Sequence, residues 1–175
     1  MKNEDSIVES EINDLKELLQ NYEDMDPAYM GEEMQKLRHF TMYTHLRMEE
    51  SLGSLIVRNQ LRPYYEPIPR TEPPREYTQA FSAGTTIAIE VDFARKVNMA
   101  QDLGEIDKDV ASLMYGVNEQ RKWFAHPIKY QNKLQELKND RNGYKVALEK
   151  LVEAHKEMNG VFVKFVSPKK PEGIK

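Results

Sequence analysis

The chain has 175 residues, enough for one hydrophobic core and short for two, so a single domain with extensions is expected. Its composition is 39% hydrophobic and 31% charged with 8 glycines, a balance that favours helices over strands and predicts an all-α protein. The absence of cysteine excludes a disulfide framework and thiolate metal sites and fits a reducing compartment, so we expect a cytoplasmic protein.

The formal net charge of −4 hides an asymmetry along the chain. Residues 1–36 include 11 acidic residues and 3 lysines, whereas residues 141–175 include 8 lysines and arginines and 4 glutamates. This basic C-terminal segment either binds a polyanion or forms ordinary solvated helix faces. No apolar run is long enough to cross a membrane, and the acidic N-terminus does not resemble a signal peptide, so no membrane association is predicted.

Residues 1–26 are predicted to form a short acidic helix outside the main bundle. Its apolar side chains recur at steps of three and four residues, the spacing of one helix face. The pattern ends in the acidic, proline-containing sequence EDMDP.

The main helical bundle is predicted over residues 27–158. Its first helix carries a long apolar stripe that stops before Pro63, because proline cannot continue a helix. His45 lies on that stripe, where a lone histidine is more often a hydrogen-bonded core residue than a ligand. Residues 62–75 hold five of the nine prolines, so a loop is expected there, with a polyproline recognition segment as the alternative.

Two helices are predicted after this loop. The first begins at Thr86 and ends at Gly104, a residue suited to the position after a helix C-terminus. Asp107 can cap the second, which runs to about Phe124. The expected core face of the first of these helices consists of Ile89, Phe93, Val97, Ala100 and Leu103.

The remainder of the chain is predicted to form one more helix and a tail. Residues 128–158 place their apolar side chains on one stripe, and Asn142–Gly143 is the expected position of a kink. Residues 159–175 are predicted to be a basic, flexible tail.

Arg121 stands in an unusual position on the helix that ends near Phe124. At about 100° per residue it falls in the middle of the apolar face of that helix. A guanidinium at a core-facing position either pairs with a carboxylate or lines a cleft, because its desolvation otherwise costs several kcal/mol. Both possibilities remain open at this point.

His126 is the second candidate of this segment. On a continuous helix it would point about 140° away from Arg121. Pro127 disfavours the α conformation at residue 126, so we expect the helix to unwind there and free the histidine to turn back. A two-fold dimer is a second way to bring such pairs into one cleft. Asn118, one turn before Arg121, would border the same site.

An arginine and a histidine indicate one type of chemistry when they stand without paired carboxylates, a metal-ligand cluster or a Gly-rich phosphate loop. This is metal-free chemistry on a phosphodiester. Arginine stabilises the charge of the phosphorane-like transition state, and histidine exchanges a proton with the 2′-hydroxyl or the leaving oxygen. We therefore predict RNA as substrate and neither a metal nor a cofactor.

The segment around these residues resembles the HEPN superfamily, whose hallmark is an arginine, four to six residues and a histidine at a helix end. The motif here is RKWFAH, residues 121–126. Its setting, VDFARKVNMAQDLGEIDKDVASLMYGVNEQRKWFAHP, is similar to the branch that contains mannitol-operon repressor-like proteins. The earlier segment HLRMEESLGSLI, residues 45–56, is similar to another helix of that branch, and the resemblance covers roughly residues 40–130.

The resemblance implies an antiparallel four-helix-type bundle that forms a homodimer. It also implies a metal-independent endoribonuclease of toxin–antitoxin, phage-defence or RNA-processing systems, which leaves 2′,3′-cyclic phosphate ends. By position, Arg121 would stabilise the phosphate and His126 would be the acid or base.

Two departures from the family pattern bear on substrate and partner. Lys122 replaces a small polar residue and either adds a phosphate contact or fills a solvated position. Ile128 stands where some toxins carry a tyrosine modified by a nucleotidyltransferase antitoxin, so that partner is not predicted. The branch also contains regulators, so the alternative function is a non-catalytic regulatory module that acts through a protein partner. An antitoxin of another type and a regulatory protein are the two candidate partners.

Overall fold

The computed structural model describes residues 30–61 and 89–166, together with single positions between residues 10 and 17 and between residues 79 and 86. Every regular element in these ranges is a helix, which confirms the all-α class for this part of the chain. Five helices have complete bounds: α1 (Met30–Leu61), α2 (Phe93–Asp102), α3 (Lys108–Ala125), α4 (Gln131–Asn139) and α5 (Arg141–Val166). None of the helices so described is long and apolar enough to cross a membrane. The predicted N-terminal helix and the proline-rich loop lie almost wholly outside the described residues.

The long helix α1 lies at the centre of the fold and packs against α2, α3 and α5. The predicted apolar stripes of these helices form one shared core, because each stripe faces the others. Its fully buried side chains include Leu37, Leu52, Val97, Val117, Tyr144, Leu148 and Leu151. The core residues therefore come from segments that are far apart in the sequence, and this packing fixes the position of α3.

Contacts along α1 give the directions of its neighbours. Residues 33 and 44 contact residues 144 and 155 in the same order, so α5 runs parallel to α1. The contacts of residues 41 and 45 with residues 120 and 118 follow the reverse order, so α3 runs antiparallel to α1. The described helices therefore include a parallel pair, which differs from the antiparallel four-helix-type bundle that the resemblance implied.

Helix α2 also runs parallel to α1. Residues 45 and 59 of α1 contact residues 93 and 105 in the same order. Parallel neighbours require a connection long enough to return to the starting end of the bundle. The chain between α1 and α2 spans residues 62–92, which gives it that length.

The junction between α2 and α3 is built as its sequence predicted. Gly104 has a φ of 70°, a left-handed conformation in which a side chain would be strained. The Glu105 N–H donates to the Ala100 carbonyl at 3.0 Å, so α2 ends in a Schellman motif. Asp107 Oδ1 accepts the N–H groups two and three residues later, at 3.0 and 2.9 Å, and caps α3. The predictions for Gly104 and Asp107 are both confirmed.

The predicted core position of Ile89 is wrong, because its side chain is 75% exposed. Asp92 adopts an extended conformation and its side chain accepts the Arg95 N–H at 3.0 Å, so α2 begins only after Asp92. The helical phase of the following residues therefore does not extend back to Ile89. Phe93, the next member of the predicted stripe, is buried as expected.

The last predicted helix is divided into α4 and α5. The break lies at Asp140, whose φ of −110° and ψ of 97° are extended, two residues before the expected kink. Asp140 Oδ1 accepts the Asn142 N–H at 3.0 Å and thereby starts α5. A Cβ atom on Gly143 would lie 2.8 Å from Asp140 Oδ2, so glycine makes room for this carboxylate. Helix α5 then continues to Val166, past residue 158, where the bundle was expected to end.

We expect Gly143→Ala to lower the free energy of unfolding by about 1 kcal/mol, because the new methyl group displaces the Asp140 carboxylate from its capping position. Urea denaturation measures the change. Gly31→Ala is the matched control, since a Cβ at Gly31 meets nothing within 4 Å, and alanine there should stabilise the helix by about 0.5 kcal/mol. Equal effects of the two substitutions would contradict the proposed role of Gly143.

His155 is buried against α1. Its Nε2 atom is hydrogen-bonded to the Thr44 hydroxyl at 2.8 Å, and its ring stacks on Tyr43 with centroids 6.3 Å apart. Burial, with a smaller contribution from Arg47, lowers the pKa of His155 from 6.5 to about 4. His155 therefore binds a proton below about pH 6.5 in the unfolded chain but only below about pH 4 in the folded chain.

We predict that acidification from pH 6.5 to pH 4 costs the folded protein up to about 3 kcal/mol through His155. Urea denaturation across this range should show a shallower decline for His155→Gln than for the unmodified protein. His39→Gln, on the exposed side of α1, controls for the loss of a histidine. A His155→Gln decline as steep as that of the unmodified protein would refute the prediction.

Candidate functional site

The candidate residues are presented by the antiparallel contact of α3 with α1. The Gln120 amide nitrogen donates to the Thr41 hydroxyl at 2.8 Å, and Asn118 Oδ1 lies 3.1 Å from His45 Nε2. Both contacts are polar and lie inside the apolar core face of α3. They place the last two turns of α3 alongside the middle of α1 and so fix the level at which Arg121 meets α1.

Arg121 lies on the buried face of α3, as its position in the sequence predicted, and its side chain is half-buried. Among the described residues, no carboxylate lies within ion-pairing distance of its guanidinium. Of the two possibilities left open by the sequence, pairing with a carboxylate is therefore not realised in this part of the chain. The guanidinium remains available to an anion from outside.

His126 stands at the end of α3. The helix ends at Ala125, and His126 is the capping residue with a φ of −128° and a ψ of 61°. Its N–H donates to the Lys122 carbonyl at 3.0 Å. The expected unwinding before Pro127 is confirmed, because residue 126 has left the α conformation.

The His126 side chain is exposed, and within the described ranges it forms no hydrogen bond, ion pair or ring contact. Arg121 and His126 are therefore not joined by a contact within one chain. They share a helix end, Arg121 facing α1 and His126 facing solvent, so a common site requires movement of a side chain or a second copy.

The two predicted substrate-binding residues have different surroundings. Asn118 is half-buried and belongs to the contact with α1 through His45. Lys122 lies on the outer side of α3, where its ammonium pairs with Glu119 Oε2 at 3.0 Å. Both partners of this pair are about half exposed, so it is a solvated pair that contributes little to stability.

Three further polar residues lie behind Arg121 and were not assigned to the site from the sequence. His45 is 5% exposed, as expected for a hydrogen-bonded core histidine, and its ring lies 4.4 Å from the Phe93 ring. Lys96 is 3% exposed and pairs with Glu49 Oε1 at 3.0 Å. The one sign of this group in the sequence was the position of His45 on an apolar stripe. Its partners Phe93 and Asn118 lie on two other helices, so no local pattern indicates them.

Burial of His45 lowers its pKa below 6.5, and the neighbouring Arg121 lowers it further. Glu49 and the hydrogen bond with Asn118 act in the opposite direction, and Lys96 makes the smallest contribution, again downward. The ring is therefore neutral at neutral pH. No group of three or more metal-ligating side chains occurs in the searched part of the chain.

We expect Glu49→Gln to lower the free energy of unfolding by about 2 kcal/mol, because it leaves the buried Lys96 ammonium without its carboxylate. Adding Lys96→Met should restore most of this loss in urea denaturation. Glu119→Gln, which breaks an exposed pair on α3, should cost less than about 0.5 kcal/mol. A Glu49→Gln effect as small as that of Glu119→Gln would contradict a buried pair.

Comparison of the chain with protein-family models, with curated proteins and with solved structures found no match. An interpretation of its function therefore depends on its own residues. The relevant ones are Arg121, His126, the Asn118 amide that contacts α1, and the buried polar groups near Arg121.

Proposed function

We propose that the chain is a HEPN-type, metal-independent endoribonuclease that acts as a homodimer and cleaves RNA to 2′,3′-cyclic phosphate ends. Arg121 binds the scissile phosphate and His126 transfers the proton. Asn118 and Lys122 contribute further contacts to the RNA backbone. The systems in which the family works, namely toxin–antitoxin pairs, phage defence and RNA processing, are the expected context.

The half-buried Arg121 guanidinium, with no carboxylate partner among the described residues, carries this proposal. Partial burial of an unpaired cation costs free energy, and an anionic ligand offsets that cost. A phosphodiester fits the guanidinium because its two free oxygens accept parallel hydrogen bonds from the planar fork. The core-facing arginine is therefore explained as a phosphate ligand better than as a structural ion pair.

The position of His126 supports the same chemistry. Its exposed imidazole stands at the end of α3, one turn beyond Arg121, where an extended RNA strand has access. The 2′-hydroxyl oxygen bonds to phosphorus as its proton passes to this imidazole. The bond from phosphorus to the 5′-oxygen breaks, and this oxygen takes a proton from the imidazolium of a second copy's His126. Arg121 stabilises the added negative charge on the phosphorane oxygens.

A homodimer supplies that second histidine. Met42 and Leu46, one turn apart on α1, are 39% and 52% exposed and give an apolar strip at the level of His45. Covering this strip with the same strip of a second copy buries apolar surface and brings two α1–α3 contacts together. Light scattering with size exclusion distinguishes the dimer from a monomer, and a strict monomer contradicts the two-histidine mechanism.

We predict that the purified protein cleaves labelled structured RNA in EDTA, and that Arg121→Ala and His126→Ala each lower the rate by at least about 100-fold. The products should carry 2′,3′-cyclic phosphate, which is resolved by its resistance to a phosphatase until acid opens the ring. Circular dichroism and thermal unfolding establish that each variant is folded.

Arg95→Ala is the matched control, because Arg95 is an exposed arginine of α2 that pairs only with Asp92 three residues earlier among the described residues. Its rate should equal that of the unmodified protein. Cleavage that persists in both Arg121→Ala and His126→Ala would overturn the proposed site. An unmodified protein that cleaves no RNA would favour the non-catalytic regulatory module, in which Arg121 contacts a protein partner.

A further inference from the structure

A buried polar network lies directly behind the candidate site, between α1, α2 and α3. His45 of α1 packs its ring against Phe93 of α2, and its Nε2 atom lies 3.1 Å from Asn118 Oδ1 of α3. An amide oxygen only accepts hydrogen bonds, so Nε2 carries the hydrogen and donates it. The NH2 group of Asn118 then has no partner among the described residues and is available to an acceptor such as a phosphate oxygen.

Three charged side chains lie near enough to the His45 ring to influence its charge, and Arg121 among them lies one turn after Asn118, the residue that contacts the ring. Glu49 of α1 and Lys96 of α2 pair with each other at 3.0 Å, so their charges largely offset one another. Arg121 of α3 is the remaining cation, and no described carboxylate compensates it. A neutral ring is compatible with a guanidinium nearby, whereas an imidazolium would add a like charge in a region that water screens poorly.

We propose that His45 is a positioning residue of the candidate site: its neutral ring fixes Asn118 and lets the Arg121 guanidinium bind the substrate phosphate, whereas its protonation displaces Arg121. This inference rests on the proposed function, because it takes the ligand of Arg121 to be an RNA phosphodiester. It adds regulation of that site by acidification. His45 acts through Asn118 and Arg121 and does not itself touch the substrate.

The burial of His45 sets the direction of the pH effect. Because the pKa of His45 lies below 6.5 in the folded chain, the ring is neutral at neutral pH and takes up a proton only on acidification. Phosphate binding by Arg121 should therefore be complete at neutral pH and weaken below pH 6.5. The loss should appear as a rise in KM, because the displaced group binds the phosphate.

The kinetic test compares His45→Gln, His45→Leu and the control His39→Gln between about pH 5 and pH 8. Glutamine keeps a donor for Asn118 but cannot titrate, and leucine removes the donor. We expect His45→Leu to lower kcat/KM at neutral pH about tenfold, mainly by raising KM. His45→Gln should keep the kcat/KM of the unmodified protein at that pH. In the unmodified protein and in His39→Gln, KM should rise as the pH falls, and in His45→Gln the part of this rise that is due to His45 should be absent. Unchanged kinetics in His45→Leu, or an unchanged acidic limb in His45→Gln, would overturn the proposal.

A second measurement does not depend on cleavage or on folding of the leucine variant. The Arg121 Nε–H signal of the unmodified protein, assigned through its loss in Arg121→Lys, is followed by NMR during a pH titration. We expect it to shift with a midpoint below pH 6.5 and to stop shifting in His45→Gln.

The two measurements separate the two proposals. If the protein cleaves no RNA while the Arg121 signal follows His45, the proposed function fails and the coupling of His45 to Arg121 stands. If the protein cleaves RNA while the Arg121 signal ignores pH in this range, the ribonuclease stands and the role of His45 is refuted.

Discussion

The antiparallel contact between α1 and α3 is the constraint on which the candidate site depends. Two polar pairs, Thr41 with Gln120 and His45 with Asn118, lie within this contact. A buried polar group without a partner is costly, so these pairs allow one register of the two helices and penalise its neighbours. The level of Arg121 along α1 follows from that register.

The same contact explains how an arginine occupies a core-facing position. The buried Lys96 and the adjacent Glu49 neutralise each other, and the histidine between them and Arg121 is uncharged. Among the described residues, the interior therefore contains no carboxylate that would draw the Arg121 guanidinium inward. Arg121 is left at the edge of the core with its charge uncompensated, which suits a residue whose partner is an anionic ligand.

The mixed directions of the helices matter for the proposed assembly. With α2 and α5 parallel to α1, and α3 antiparallel to it, the end of α3 points toward the beginning of α1. His126 thus stands at the end of the bundle, whereas Arg121 lies level with the middle of α1. Within one chain the two groups are separated along α3, which is why the proposed mechanism takes its second proton-transfer group from a second copy.

The sequence by itself determined the features that depend on residues close together in the chain. The apolar periodicity placed most of the core stripes, Gly104 and Asp107 set the junction of α2 and α3, and Pro127 ended α3 at His126. Each of these is decided by backbone conformation or by contacts within a helical turn or two. The unusual position of Arg121 on a buried face was visible for the same reason.

Only the tertiary structure decided which groups surround that arginine. His45 and Asn118 are 73 residues apart, and no local pattern encodes the register that joins them. The capping side chains of Asp92 and Asp140 likewise determine where α2 and α5 begin, although the apolar pattern predicts other positions. Ile89 is therefore exposed, and the break in the last predicted helix lies before the expected kink. Periodicity fixes the face on which a side chain lies, whereas its partner and its charge state depend on the neighbouring helices that desolvate it.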